Sequence, residues 1–149
     1  MRLSAYTEAT MPLTANQQRV LEVLRSAEAP LGAYALLERL REDGFSAPTQ
    51  IYRALDALIR LGLAHRLETL NAYVPCRLKG CRHGVTVFAI CDDCGNIDEL
   101  IDNALSSSLG HLVERRDFSP GSTTIEIHGT CSQCAGLVPE PTCQTTVKS

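Results

Sequence analysis

Pro48-Thr49-Gln50-Ile51-Tyr52-Arg53-Ala54-Leu55-Asp56-Ala57-Leu58-Ile59-Arg60-Leu61-Gly62, followed by Leu63-Ala64-His65-Arg66-Leu67, is the stretch on which the fold turns. Up to Leu61, the apolar residues Ile51, Leu55, Leu58 and Ile59 recur at helical spacing, with Tyr52, Arg53 and Asp56 off that face. Proline opens the run, where a missing N–H costs nothing, and glycine closes it. From Leu63 the period drops to two. Leu63, His65 and Leu67 alternate with Ala64, Arg66 and Glu68, and after Thr69-Leu70-Asn71 the run Ala72-Tyr73-Val74-Pro75 reads as the returning strand of a hairpin.

Two shorter helices precede this stretch. Thr14 is a candidate N-cap for a helix through Val20, Leu21, Val23 and Leu24 that stops near Ala29-Pro30. Gly32-Ala33 leads into a second, through Leu36, Leu37 and Leu40, ended by Glu42-Asp43-Gly44, where glycine supplies a left-handed exit. Three helices and then a hairpin is the order of a winged helix-turn-helix, which offers its third helix to the DNA major groove and its hairpin to the flanking backbone. A small α+β packing module without a ligand shares the pattern, because amphipathicity alone does not separate the two. Residues 1–12 read as an arm or a short additional helix.

Downstream, residues 76–83 form a polar connection at which we place the domain boundary. A strand is expected over Gly84–Ile90, with Asn96–Leu100 as its hairpin partner across Cys91-Asp92-Asp93-Cys94-Gly95. An amphipathic helix over 101–116 runs through Ile101, Leu105, Leu109 and Leu112, and a last strand spans Thr123–His128. The expected organisation is α+β: a winged-helix domain over 1–76, a hinge over 77–83, a small second domain over 84–137 and a mobile tail over 138–149.

Composition fits this division. The 149 residues are 44% hydrophobic and 21% charged, in the soluble globular range, and no run approaches the roughly 18 apolar residues of a membrane span. The net charge of -3 averages unlike halves: residues 1–80 hold ten Lys/Arg against eight Asp/Glu, and residues 81–149 hold four against nine. A mildly basic front half can meet phosphates although the whole is acidic. There are seven cysteines, an odd number, and no secretory leader is evident at the N-terminus. Reduced thiols, a cytoplasmic location and metal ligation are therefore expected.

Cys91-x-x-Cys94 and Cys131-x-x-Cys134 carry the most specific chemistry. Two residues between thiols let a turn aim both sulfurs at one ion, and two such knuckles close a tetrahedron of thiolates around a structural zinc. Redox dithiols are the competing reading. A second set of candidate ligands is His65, Cys76, Cys81, His83 and Glu99, all close to the domain junction. Singly, each also fits an ordinary role, His65 and Glu99 as solvated residues and Cys76 as a small buried hydrophobe.

Pro48–Leu55, the hairpin His65-Arg66-Leu67-Glu68 with Asn71-Ala72-Tyr73-Val74, and Phe88-Ala89-Ile90-Cys91-Asp92-Asp93-Cys94-Gly95 together resemble the ferric uptake regulator family, more closely its zinc uptake regulator branch. The resemblance covers about residues 13–137. It implies a homodimeric bacterial repressor in which the second domain dimerises and the zinc-loaded protein binds double-stranded operator DNA. Cys91, Cys94, Cys131 and Cys134 match the family's structural zinc site, and His65, Cys76 and Glu99 match ligands of its regulatory site at the hinge. His83 is the fourth, one residue off the family's histidine position, with Cys81 as the competing ligand. Two zinc ions per chain follow.

Tyr52 and Arg53 match the family's recognition-helix pair, with Thr49 beside them. Gln50 departs from the usual threonine and is a candidate for adenine or a phosphate. Arg53 also fits a plain solvated charge. The iron-sensing branch carries a histidine-rich stretch before the first knuckle, whereas this chain has His83 there and a thiolate at Cys76, a set better suited to zinc. An iron- or peroxide-sensing regulator is the alternative within the family. A dithiol oxidoreductase and a zinc-stapled protein-interaction module are alternatives outside it. No catalytic residue, membrane contact or small-molecule substrate other than the metal is expected.

Overall fold

The computed structural model describes residues 12–77 and 85–136. Cys81, His83, Cys143, most of the expected arm and the tail lie outside the described residues.

Helix α1 (Ala15–Ser26) starts at Thr14 through a reciprocal cap. Thr14 Oγ1 accepts from the Gln17 amide at 3.2 Å, and Gln17 Oε1 accepts from the Thr14 amide at 3.1 Å, so two amides with no partner within the helix are satisfied. Helix α2 (Ala33–Leu40) runs into a short 3-10 turn, Arg41–Asp43, and leaves it through Gly44 at φ 93°, a conformation that strains any residue with a Cβ. Helix α3 (Pro48–Arg60) has proline in its first turn. Val20, Leu24, Leu36, Leu40, Ile51, Leu55 and Leu58 are fully buried where the three helices meet. Each contributes on the order of 1.5–3 kcal/mol by burial.

The hairpin forms as the period of two predicts. Strands β1 (Ala64–Leu67) and β2 (Ala72–Pro75) pair antiparallel, with His65 opposite Val74 and Leu67 opposite Ala72. Asn71 takes φ 47° in the turn, a conformation asparagine tolerates better than most residues. Leu31 adds a bridge to Tyr73, its amide donating to the Tyr73 carbonyl at 3.1 Å and its carbonyl accepting from the Tyr73 amide at 2.9 Å. That third rung, not visible in the sequence pattern, ties the hairpin to the start of α2. The wing is covered on both faces: Ala64 and Tyr73 join the helical core, while Leu67 and Val74 pack with Phe88, Ile90 and Ile97 of the second domain.

In the second domain, β3 (Val85–Cys91) and β4 (Ile97–Leu100) form the expected antiparallel hairpin. Helix α4 (Asn103–Glu114) starts at Asp102, whose Oδ1 accepts from the Leu105 amide at 2.8 Å. It carries the chain over to β5 (Thr123–Gly129), which pairs parallel to β3, giving the order β4-β3-β5. A parallel return needs such a crossover. The helix is shorter than the 101–116 read from its periodicity, and none of its residues is buried. Leu112 is 57% exposed while Leu105 and Leu109 are half-buried, so this chain's own sheet covers the apolar stripe only in part.

Candidate metal centres and nucleic-acid interface

The Cys91, Cys94, Cys131 and Cys134 sulfurs all lie within 4.8 Å of one another. β3 delivers Cys91 at its end, and β5, paired alongside in the same direction, delivers Cys131 two residues after its own end. Each knuckle is a tight turn closed by a backbone bond from the residue after its second cysteine: Gly95 N to Cys91 O at 2.8 Å, and Ala135 N to Cys131 O at 2.9 Å. Gly95 and Gly136 take φ 76° and 72°, so the glycine signal in both turns is conformational. The long separation in sequence is thus closed by the parallel pairing of β3 and β5.

Backbone donors face the sulfurs. The Cys131 amide donates to Cys91 Sγ at 3.3 Å and the Asn96 amide to Cys94 Sγ at 3.4 Å. The Cys131 amide, working against burial and aided by the Cys94 and Asp93 amides, holds the Cys91 thiol below its usual pKa. Burial, together with the neighbouring Cys91, pushes Cys134 up. Cys94 and Cys131 are half-cystines in the structure, as is Cys76, while Cys91 and Cys134 are thiols. Four sulfurs within 4.8 Å of one another are close enough to share one ion. Two matched knuckles with amides aimed at sulfur fit the shared ion, and the reduced form supplies the four thiolates that tetrahedral zinc takes.

His65, Cys76 and Glu99 form the second cluster, their ligand atoms again within 4.8 Å of one another. They come from three strands: His65 from β1, Cys76 just past the end of β2, and Glu99 from β4. Glu99 is 3% exposed, and its Oε2 accepts from the Arg77 amide at 3.1 Å. Its Oε1 stands 3.2 Å from His65 Nε2 and 3.6 Å from Cys76 Sγ. His65 Nε2 is buried and makes no hydrogen bond despite that proximity, so the pair is close without being aligned as donor and acceptor. Ligand atoms at usual zinc distances stand about 3.3 Å (N to O) and about 3.5 Å (S to O) apart around a tetrahedral ion. With Cys76 reduced to a thiolate, the spacing and the orphaned nitrogen therefore fit zinc. The His65 ring is held edge-on to Phe88, with centroids 5.4 Å apart. His83 and Cys81, the two contenders for a fourth ligand, lie outside the described residues.

On α3, Thr49, Tyr52 and Arg53 are all exposed, Tyr52 at 42%, on the face opposite the buried Ile51, Ala54, Leu55 and Leu58. Gln50 has a role the sequence reading did not give it: its Oε1 accepts from the Ser46 amide at 2.7 Å and the Ala47 amide at 3.0 Å, capping the helix start. Its carboxamide oxygen is thereby committed to the helix terminus. Sequence reasoning also passed over Glu126, Thr69 and His128, which meet at the wing turn. Glu126 Oε1 accepts from the Glu68 amide at 2.5 Å, and Oε2 accepts from the Thr69 amide at 3.2 Å and from the Thr69 hydroxyl. Burial opposes ionisation of Glu126, but the Thr69 hydroxyl and the two amides outweigh it and hold the carboxyl below its usual pKa. The alternation Thr124-Ile125-Glu126-Ile127-His128, with an acid and a histidine on one face of a strand, was the available signal.

No family model matches the chain. The zinc uptake regulation protein of Escherichia coli (strain K12) is 32% identical over 123 residues, which are 82% of this chain and 72% of that protein. The zinc uptake regulation protein of Mycobacterium tuberculosis (strain CDC 1551 / Oshkosh) is 28% identical over 122 residues, 81% of this chain and 92% of that protein. Among solved structures, holo XcZur superimposes with a TM-score of 0.78 at 37% identity, covering 87% of this chain and 90% of that one. A zinc uptake regulator in complex with zinc and DNA also gives 0.78, at 30% identity and 87% coverage of each chain. These likenesses cover more than four-fifths of the chain, and on them it belongs to the ferric uptake regulator family, in its zinc uptake regulator branch.

Proposed function

We propose that this protein is a zinc-responsive transcriptional repressor, cytoplasmic and homodimeric, that binds operator DNA of zinc-uptake genes when zinc is abundant. The observation that carries the reading is the convergence of His65 and Cys76, from the wing, with the buried Glu99, from the second domain, on one point. Similarity to a zinc uptake regulator solved with zinc and DNA supports the partners.

The four knuckle cysteines hold a structural zinc, and His65, Cys76 and Glu99 hold a regulatory one, with His83 placed ahead of Cys81 as the fourth ligand. Two zinc ions per chain result. Bound at the second site, zinc supplies a cross-link between the domains. The chain's own contribution is to divide the ligands: the wing follows directly on α3, and Glu99 belongs to the sheet. Leu100, Ile101, Leu112, Phe118 and Ile127, all in the second domain, are exposed and supply an apolar surface for a second copy. In the dimer, the angle between domains sets the separation of two α3 helices. Those helices must match half-sites about one DNA turn, roughly 34–36 Å, or a multiple apart. Thr49, Tyr52 and Arg53 face the groove, with Gln50 held by its cap at the helix start. Without zinc, the matching angle is one of many sampled, so metal acts by shifting a population.

The iron-sensing alternative is disfavoured by Cys76, since thiolate with imidazole and carboxylate suits zinc. The reading assigns no catalytic chemistry, and among the described residues no helix is long and apolar enough to cross a membrane. The test is operator binding in reducing buffer at clamped free metal. Zn(II) at cell-like free concentration is expected to promote binding; promotion by Fe(II) alone would overturn the assignment.

A further inference from the structure

Phe88 of β3 is paired with Glu99 of β4 on one side and with Glu126 of β5 on the other. Residues directly opposite on neighbouring strands share a face, so a regulatory ligand and Glu126 stand at the two ends of one row across the sheet. The shared face is the one on which the wing packs, because Phe88, Ile90 and Ile97 contact Leu67 and Val74 there. At one end, Glu99 meets His65 and Cys76 near the base of the hairpin. At the other, Glu126 accepts from both amides that open the hairpin turn and from the Thr69 hydroxyl. His128, two residues on and on the same face, stands 2.8 Å from Thr69 Oγ1 through Nε2 and 2.9 Å from Asp92 Oδ1 through Nδ1. Asp92 lies inside the first knuckle, so the wing tip is also tied to the structural metal centre.

We propose that Glu126 and Thr69 are positioning residues for metal-controlled DNA binding, a metal-independent clamp holding the wing tip on the second domain. A wing held only at its base by the metal ligands would pivot about that anchor. Held at both ends of the row, it has one orientation, and α3 with it. The Glu126 side chain is 9% exposed, and an ionised carboxylate accepting from two amides and a hydroxyl forms hydrogen bonds of the stronger, charge-assisted kind. The clamp raises the fraction of molecules already closed, and the apparent affinity of any ligand for the closed form rises with that fraction. Zinc at the regulatory site is thus held more tightly through contacts that never touch it.

This inference rests on the regulatory reading of His65, Cys76 and Glu99, and its test separates the two. Full-length Glu126→Gln and Thr69→Val proteins are compared with wild type and with Thr69→Ser, which keeps the hydroxyl. Readouts are zinc affinity by chelator competition without DNA, and operator affinity at saturating zinc. Glu126→Gln and Thr69→Val are each expected to keep the dimer and both zinc ions while losing about tenfold in regulatory zinc affinity, and more in operator affinity, since two protomers must close. Thr69→Ser is expected to match wild type, and the double variant Glu126→Gln/Thr69→Val to lose little beyond either single change. Thr69 is an exposed turn residue, so its variants keep the comparison open even if Glu126→Gln folds poorly. A zinc-responsive wild type beside Glu126→Gln and Thr69→Val proteins of unchanged zinc and operator affinity would overturn the clamp alone. Zinc-independent operator binding by the wild type would overturn the regulatory reading, and the clamp with it.

Discussion

Cys76→Ser is expected to leave a folded dimer that retains one zinc per chain and has lost zinc-dependent operator binding by on the order of a hundredfold or more, since removing even an outer partner of a metal ligand costs about 10–100-fold. The expectation follows from where Cys76 sits. It lies just past β2, outside both apolar clusters, so serine disturbs little packing. What it removes is the soft ligand of a three-strand convergence whose other members are an imidazole and a buried carboxylate. Glu99 keeps its bond from the Arg77 amide, which lessens the cost of leaving that carboxylate without metal. Gel-shift titration at clamped free zinc, with metal analysis of the same sample, reads both halves of the prediction. Loss of fold or of all zinc would show that the two centres are one cooperative unit.

Cys94→Ser should act on folding. Among the described residues, the second domain's fully buried large side chains are few, Phe88 and Ile97 among them, and helix α4 buries no residue. A structural zinc contributes on the order of 10–16 kcal/mol of apparent binding free energy in small domains, against a usual total stability of about 5–15 kcal/mol. Losing one of four thiolates therefore removes more than such a core can replace. The expected protein is monomeric, lacks a cooperative transition for the second domain, and binds no operator at any zinc concentration. Circular dichroism on heating and sedimentation velocity measure this, and a stable Cys94→Ser dimer would contradict the structural role.

Much of this was legible because local signals and tertiary placement agree. Thr14, Gly44, Pro48 and the switch of period after Gly62 mark boundaries by backbone chemistry, and each element lies within a few residues of where those signals put it. The four-cysteine centre was legible because each knuckle is a local turn. Its closure, however, depends on the parallel pairing of β5 with β3, which no local period encodes. The hinge cluster was only suggested by the residues, since His65, Cys76 and Glu99 belong to different strands and meet through two separate hairpins packing face to face. Resemblance named them, and geometry brings them together.

Other features were hidden for the same reason. Glu126 touches residues 57 and 58 positions away in the chain, and nothing in its own segment indicates that the wing turn will present two amides to it. Gln50 looked like a base-reading side chain because it sits beside Tyr52 and Arg53, but a glutamine at the third helical position can also fold back on amides before the helix. Helix α4 has the period of a buried helix and is exposed, as expected where the partner is a second copy and not this chain's own core.

In the proposed function two zinc centres divide the labour, one holding the fold and the other setting the angle between domains. Zinc stoichiometry before and after mild chelation, read on the same reduced sample as operator affinity, tests it most directly. We expect two zinc per chain falling to one, with the dimer intact, operator binding lost, and binding restored when one equivalent is returned. A single zinc per chain at the outset, or undiminished operator binding by the one-zinc dimer, would contradict it.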